Sequence, residues 1–390
     1  MTIETRAVVI GGGIVGCSVA YHLASLGWTE ITLLEQHQLT DGTTWHSAGF
    51  VTPLRGSPAT RALVGYLPAL ADRLRAETGL DPGWRPVGGL RLAGTPERVE
   101  QLRAAGLEIR SPESLPALLN DKGVLAVGWT PDDGFVRPKD LPAALAAAAT
   151  ALGVTIRTGV RVTGLTLSNK RVSGVRTAEG DLKTGTVVLA AGAASAHLGH
   201  FVGATVPVAP VNHQYAVTAP FDPPLDPDTL PTVRDPDRNL YLRGAGGGLI
   251  LGAYPSAPVP AWPLNGAPPL AESRTQATPA PIDELIAAAS ARIRDLPEII
   301  KVICGPEAFT PDGEPLVGQT DVPGLWAAAG MSLHGMALAG GVGKAVAELI
   351  TSGSAEVDVR SLGPQRFGPF AHNRHWTTTR AVDAFARLRT

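Results

Sequence analysis

A glycine triad near the N-terminus constrains this chain more than any other feature. Ala7-Val-Val-Ile10 is a short β-branched run, and it leads directly into Gly11-x-Gly13-x-x-Gly16. The segment Cys17–Leu26 then carries Val19, Leu23 and Leu26 on one helical face and stops at Gly27. Ile31-Thr-Leu-Leu34 reads as a second buried strand that ends on Glu35. The result is a β-α-β unit in which each glycine has a distinct task. The first permits the tight turn, the second lets the backbone approach a pyrophosphate, and the third lets the helix pack on the strand. The free N–H groups and positive dipole end of that helix favour phosphate. Gly11, Gly13, Ile14, Val15 and Gly16 are therefore expected against a dinucleotide. Glu35, with Gln36 beside it, can accept hydrogen bonds from a ribose diol and would disfavour a phosphorylated ribose.

The triad does not by itself separate NAD from FAD. Three further features favour FAD. The motif lies at the extreme N-terminus. Val187-Val-Leu-Ala-Ala-Gly192 repeats the strand-to-glycine pattern late in the chain, as a second backbone wall passing the same cofactor would, and adds Ala191 and Gly192, with Val162, to the expected lining. Ala328-Ala-Gly-Met-Ser-Leu-His-Gly335 places another helix N-terminus near the C-terminal end, where its dipole can stabilise negative charge on a reduced flavin. Gly330, Met331, Ser332, Leu333, His334 and Gly335 join the cofactor set on that ground.

Composition narrows the function classes. The 390 residues suit two interleaved or tandem domains. With 33 basic and 35 acidic residues, net charge −2 and no basic stripe, nucleic acid is not an expected partner. The two cysteines, Cys17 and Cys304, show no metal-ligand spacing, so neither zinc nor a disulfide is expected. No apolar run reaches 18 residues, and the chain enters its first strand without a leader-like segment. The expectation is a cytoplasmic protein with no membrane partner.

The coarse pattern predicts an α/β fold. A Rossmann-like FAD domain of the glutathione-reductase type would be assembled from residues 1–85, 135–205 and 300–365. From Val206 the texture changes. Val208–Thr218 and Leu240–Leu251 alternate with Gly-rich turns between them, which predicts antiparallel sheet. Residues 86–134 and 206–299 would form a substrate domain roofing the flavin, with 366–390 as a C-terminal tail. Ala59–Thr78 reads as helix interrupted at Pro68, and residues 254–281 as an irregular Pro-rich loop over the entrance.

The most specific stretch is Leu39-Thr-Asp-Gly-Thr-Thr-Trp-His-Ser-Ala-Gly49. It resembles the flavin-attachment loop of the dimethylglycine and sarcosine dehydrogenase family, within the D-amino-acid-oxidase superfamily. The similarity extends through Gly88–Arg98, Pro131–Asp140, Asn212-His-Gln-Tyr215, Arg238–Arg243 and Phe309–Pro315, so it covers nearly the whole chain. It implies that His46, preceded by Thr43, Thr44 and Trp45, is bonded to the flavin, although a noncovalent FAD beside His46 is the alternative. It also implies that His213 and Tyr241 border the substrate. A histidine there can accept or relay the amine proton, and a tyrosine hydroxyl can hydrogen-bond the substrate. Arg55 is a candidate to fork onto a substrate carboxylate, with Arg243 a weaker one. His22, His37, His197 and His200 receive no functional reading.

Two departures from the family pattern matter. Monomeric sarcosine oxidases carry a lysine shortly after the C-terminal glycine loop, whereas here Lys344 comes a turn or two too late. The chain also ends about where the folate-binding domain of dimethylglycine-type enzymes would begin, so no folate acceptor is expected in cis. The resemblance implies oxidation of the C–N bond of a small secondary or tertiary amine, an N-alkyl amino acid by preference, with dioxygen or an electron-carrier protein as acceptor. The alternatives are oxidation of a C–N or N–N bond in a specialised metabolite, and a noncatalytic flavoprotein subunit.

Overall fold

The computed structural model describes residues 3–54, 56–261 and 280–389. Its six-stranded sheet runs in the order Thr155–Arg157, Ile31–Leu34, Ala7–Ile10, Val187–Leu189, Leu325–Ala329, Leu316–Gln319. All neighbours are parallel except the last pair. Strands buried on both faces need continuous apolar runs, and Ala7–Ile10 and Ile31–Leu34 are buried throughout. Helix Ile14–Ser25 follows the first strand and is buried at eleven consecutive positions, Ile14 to Ala24. It is packed by helix Asp140–Ala151 and by the long helix Gly335–Ser352. Gly16 makes the first turn possible, because a Cβ there would lie 1.8 Å from the Gly11 carbonyl oxygen.

The second large sheet has eight strands, ordered Ile299–Phe309, Ala209–Thr218, Gly248–Gly252, Leu240–Ala245, Thr232–Asp235, Gly89–Ala93, Ala126–Thr130, Glu108–Arg110. It is antiparallel except where Thr232–Asp235 meets Gly89–Ala93. Ile299–Phe309 belongs to this sheet along its whole length, paired with Ala209–Thr218. The chain therefore returns to the six-stranded sheet after Phe309, not at residue 300 where the expected FAD-domain segment 300–365 began. Helix Asp283–Arg292 is tied to this sheet by a buried ion pair, Arg292 Nε to Asp235 Oδ2 at 2.8 Å.

The periodicity expected over Ala59–Thr78 resolves into two helices, Pro58–Gly65 and Leu67–Thr78, with Pro68 in the first turn of the second. Proline is tolerated there because the missing N–H has no intrahelical acceptor. The C-terminal segment is more than a tail. Helix Arg374–Ala386 is N-capped by Asn373 and drives Phe385 fully into the molecule. Phe385 stacks on Phe309 at 4.7 Å between ring centroids and meets the His213 ring edge-on at 5.3 Å. Most of the Pro-rich segment expected at 254–281 lies outside the described residues. Among the described residues no helix is long and apolar enough to cross a membrane.

Candidate functional site

A cleft opens along the C-terminal ends of the parallel strands. Gly11, Gly13, Ile14, Val15, Glu35, Gln36, Thr43, Thr44, Val162, Ala191, Gly192, Gly330, Met331, Ser332, Leu333 and Gly335 all line it. Gly16 sits behind the wall, packed on Gly11. The Glu35 carboxylate is held by two backbone donors, Gly12 N–H at 2.7 Å and His37 N–H at 2.8 Å. The Thr44 hydroxyl accepts from Ile14 N–H at 3.1 Å, at the N-terminus of the first helix. A Cβ on Gly13 would meet only that hydroxyl, at 3.1 Å, and one on Gly192 would meet nothing within 4 Å. The backbone thus lies bare to the cleft where a pyrophosphate needs it, so the residues present fit a dinucleotide.

The loop Thr43–His46 forms one 3-10 turn. Thr43 Oγ1 donates to the Pro306 carbonyl at 2.9 Å, which pins the turn to the eight-stranded sheet. Trp45, expected against the cofactor, lines neither cavity and is 41% exposed. His46 turns inward and is buried. Its Nε2 has no hydrogen-bond partner, and burial pushes its pKa down to about 4, so the ring is neutral. Gly305 makes this possible, because a Cβ there would lie 2.5 Å from Nε2.

A second cavity begins at His46 and shares Ser47, Glu307 and Leu333 with the first. Strand register explains its walls. His213 opposes Gly305 and Val211 opposes Glu307. Tyr215 and Tyr241 both oppose Gly252, Tyr241 opposes Arg234, and Arg234 opposes Arg91. Residues directly opposite or two apart share a face, so all of these side chains project on one side of the sheet. Gly252 leaves room for the Tyr241 ring, whose atoms a Cβ would meet at 1.9 Å. His213 Nε2 lies 2.8 Å from Tyr241 Oη, while its Nδ1 has no partner.

The electrostatics differ from the sequence expectation in one respect. Burial, reinforced by nearby His46, pushes His213 down to about 3. It is neutral here, and it is a poor acceptor of a proton near neutral pH. The group poised near neutrality is Glu307, whose carboxyl is raised by burial to about 8. Among the described residues its one ion-pair neighbour is His46 Nδ1 at 3.8 Å, itself neutral.

At the other side of the cavity Arg234 lies over the Phe50 ring, 5.1 Å from its centroid, and its Nη1 donates to Tyr254 Oη at 3.5 Å. Its buried Nε has no partner, and neither does that of Arg91. Asp133, with its carboxyl raised by burial, is the acid that acts on both from a distance. Arg243 is not a cavity residue. It is buried and donates to the carbonyls of Ala48 and Gly244, which fixes the end of the His46 loop. His334 lines the cavity at the N-cap of helix Gly335–Ser352. Lys344, on the same helix, pairs with Glu348 at 2.8 Å away from the cavity. Arg55 lies outside the described residues.

Sequence reasoning missed Glu307, Arg234, Arg91, Tyr254 and His197. The last lines the cofactor cleft with both ring nitrogens buried and unpartnered. No local motif marks any of them. What could have found Glu307 and Arg234 is strand parity relative to His213 and Tyr241.

Comparison with known proteins agrees with this geometry. A family model described as FAD dependent oxidoreductase (DAO) matches residues 6–349. Mitochondrial dimethylglycine dehydrogenase of Homo sapiens is 34% identical over 405 residues, covering 98% of this chain and 46% of that protein. The 4-methylaminobutanoate oxidase (formaldehyde-forming) of Paenarthrobacter nicotinovorans is 33% identical over 405 residues, covering 99% of this chain and 48% of its own length. The chain thus spans about half the length of these curated relatives. Among solved structures, L-proline dehydrogenase from P. horikoshii superposes with a TM-score of 0.80 at 26% identity, over 94% of this chain and 98% of that one.

Proposed function

The chain belongs to the DAO family of FAD-dependent oxidoreductases, and on that footing we propose that it oxidises the C–N bond of a small secondary or tertiary amine bearing a carboxylate, an N-alkyl amino acid. One observation carries the reading. The cavity walled by Tyr241, His213 and Arg234 shares Ser47, Glu307 and Leu333 with the dinucleotide cleft, so a small polar molecule held in the one would lie beside a cofactor held in the other. The two curated relatives named above are both named for N-methylated amino acids, which supports the substrate class.

Bound FAD supplies the two-electron acceptor. The protein's own residues do the rest. Tyr241 offers its hydroxyl to the substrate and is held in place by neutral His213. Arg234 directs its unsatisfied Nε and weakly engaged fork at the carboxylate, a match of planar donors to planar acceptors. Phe50, Tyr254 and Phe385 keep the surroundings apolar, which favours a neutral amine over an ammonium. The amine nitrogen lone pair forms a C=N bond as hydride leaves the adjacent carbon. Water then adds to the iminium, the C–N bond breaks, and an aldehyde or keto product and a shorter amine depart.

His46 is our candidate for covalent attachment of the flavin. A buried, neutral ring with an unshared Nε2 lone pair is the nucleophile such a bond requires. Residues 1–85, 135–205 and 310–365 would bind the cofactor, with the eight-stranded sheet presenting the substrate. Dioxygen or an electron-carrier protein would take the electrons onward, in the cytoplasm.

The test is a panel of amines given to the FAD-loaded protein, with aldehyde and shortened amine quantified. N-methyl amino acids should yield both in equal amounts. Arg234→Met should raise KM for them about 10- to 100-fold, the worth of one charge-assisted hydrogen bond, and leave KM for an N-methylalkylamine without a carboxylate nearly unchanged. Equal effects on both would remove Arg234 from the carboxylate site, and absence of aldehyde from every amine would overturn the reaction.

A further inference from the structure

We propose that Glu307 is the proton partner of the substrate amine, holding it as the neutral base from which hydride can leave. The inference rests on the C–N oxidation reading above. Its footing is geometric. Glu307 projects from strand Ile299–Phe309 on the same face as His213 and Tyr215, two residues along the strand from Gly305, against which the His46 ring lies. It lines both cavities at their junction, and its side chain is only 12% exposed. Among the described residues its carboxyl has no hydrogen bond, and its one ion-pair contact is the neutral His46 ring. A carboxyl left in that state at the mouth between a cofactor cleft and a substrate cavity is an acid awaiting a partner.

The groups that face it come from every neighbouring element. His46 approaches from the attachment loop, His213 and Tyr215 from Ala209–Thr218, and Tyr241 from Leu240–Ala245, while Tyr254, Arg234 and His334 complete the cavity. Both His46 and His213 are driven neutral by burial. Tyr241 is held well above its ordinary range, with burial the main cause. Among the described residues lining the substrate cavity Arg234 is the one permanent charge, set at the carboxylate end of the substrate, while Arg161 and His197 line the cofactor cleft that Glu307 also borders. Glu307 is thus the acid in the cavity whose proton is exchangeable in the range where the enzyme meets its substrate.

The proton count gives the idea its content. A protonated Glu307 beside a neutral amine holds the same number of protons as a Glu307 carboxylate beside an ammonium. Water favours the ion pair, whereas an apolar, enclosed site favours the neutral pair. When an ammonium substrate from solution meets protonated Glu307, one proton is released to solvent and the neutral pair remains. The nitrogen lone pair is then free to form the C=N bond, and no ammonium charge opposes departure of the hydride.

Two measurements on the FAD-loaded protein test this. The first needs no turnover. Glycine betaine, a trimethylammonium carboxylate, cannot lose a proton and so should bind only when Glu307 is ionised. Calorimetric titration should show its Kd falling about tenfold per pH unit from pH 6 and levelling off near 8, whereas Glu307→Gln should bind it with no such dependence. A flat profile in the wild type overturns the proposal even if the variant does not fold. The second is the second-order rate of anaerobic flavin bleaching by an N-methyl amino acid. In the wild type it should rise with pH to about 8, stay level, and fall above the substrate's own ammonium pKa of about 10. In Glu307→Gln it should keep rising to about 10, with no falling limb. Identical profiles would remove Glu307 from the proton transfer and leave the C–N reading standing. Failure of every N-alkyl amino acid to bleach the wild type would remove both.

Discussion

His46 and Gly305 illustrate how one residue decides another. The histidine was legible in the sequence because its loop is distinctive, and the structure places its ring against the cavity wall. The glycine was not, since nothing in Cys304-Gly-Pro-Glu307 says that the ring of a residue 259 positions earlier in the chain will lie on it. Gly305→Ala should therefore damage the site as surely as loss of His46, because its Cβ would fall within 2.5 Å of Nε2. Acid denaturation should leave flavin in the washed wild-type pellet, release it to the supernatant in His46→Ala, and release most of it in Gly305→Ala. Retention in both variants would sink the attachment proposal. Glu307 and Arg234 were illegible for a related reason. Each sits in a different strand from His213 and Tyr241, so parity becomes a guide only once the pairing register between those strands is known.

At the scale of elements, the parallel strands and the first helix could be read directly, because a strand buried on both faces and a glycine turn leave few alternatives. The two helices split near Pro68 were anticipated as one interrupted helix. Helix Arg374–Ala386 was not anticipated at all. Its first two turns are mostly polar, and its buried end, Phe385 with the small Ala381 and Ala384 beside it, falls in a segment that reads as a tail. Phe385→Ala should cost about 3–5 kcal/mol by urea unfolding. It should also raise KM for the amine, since the ring braces His213. An unchanged unfolding midpoint would mean that the helix docks by its other contacts. The Arg292–Asp235 pair belongs to the same scale. Arg292→Ala leaves Asp235, at 1% exposure, to the more distant Arg238 Nη1 at 3.6 Å and should destabilise the protein by up to about 3–5 kcal/mol.

Over the whole molecule, the buried imidazoles set the response to acid. His22, His46 and His213 have pKa values near 4, 4 and 3, below the 6.5 of an unfolded chain. An unfolded chain therefore binds more protons than the folded one below pH 6.5, so stability should fall as pH drops from 6.5 towards 4. Glu307 acts in the opposite sense, since its folded pKa is raised. Its contribution is intact below pH 4.5 and is lost as pH rises through about 8. Urea midpoints measured across this range should peak between the two limbs, and Glu307→Gln should flatten the alkaline one. Both sheets are built from segments far apart in sequence, which is why their alternation was legible and their shared cavity was not.

The most direct test of the central claim is anaerobic titration of the FAD-loaded protein with N-methyl amino acids. The account predicts loss of the oxidised flavin absorbance at one equivalent of amine, with one equivalent of aldehyde or keto product recovered. A flavin that stays oxidised in the presence of every secondary and tertiary amine tried would contradict it and favour a noncatalytic flavoprotein.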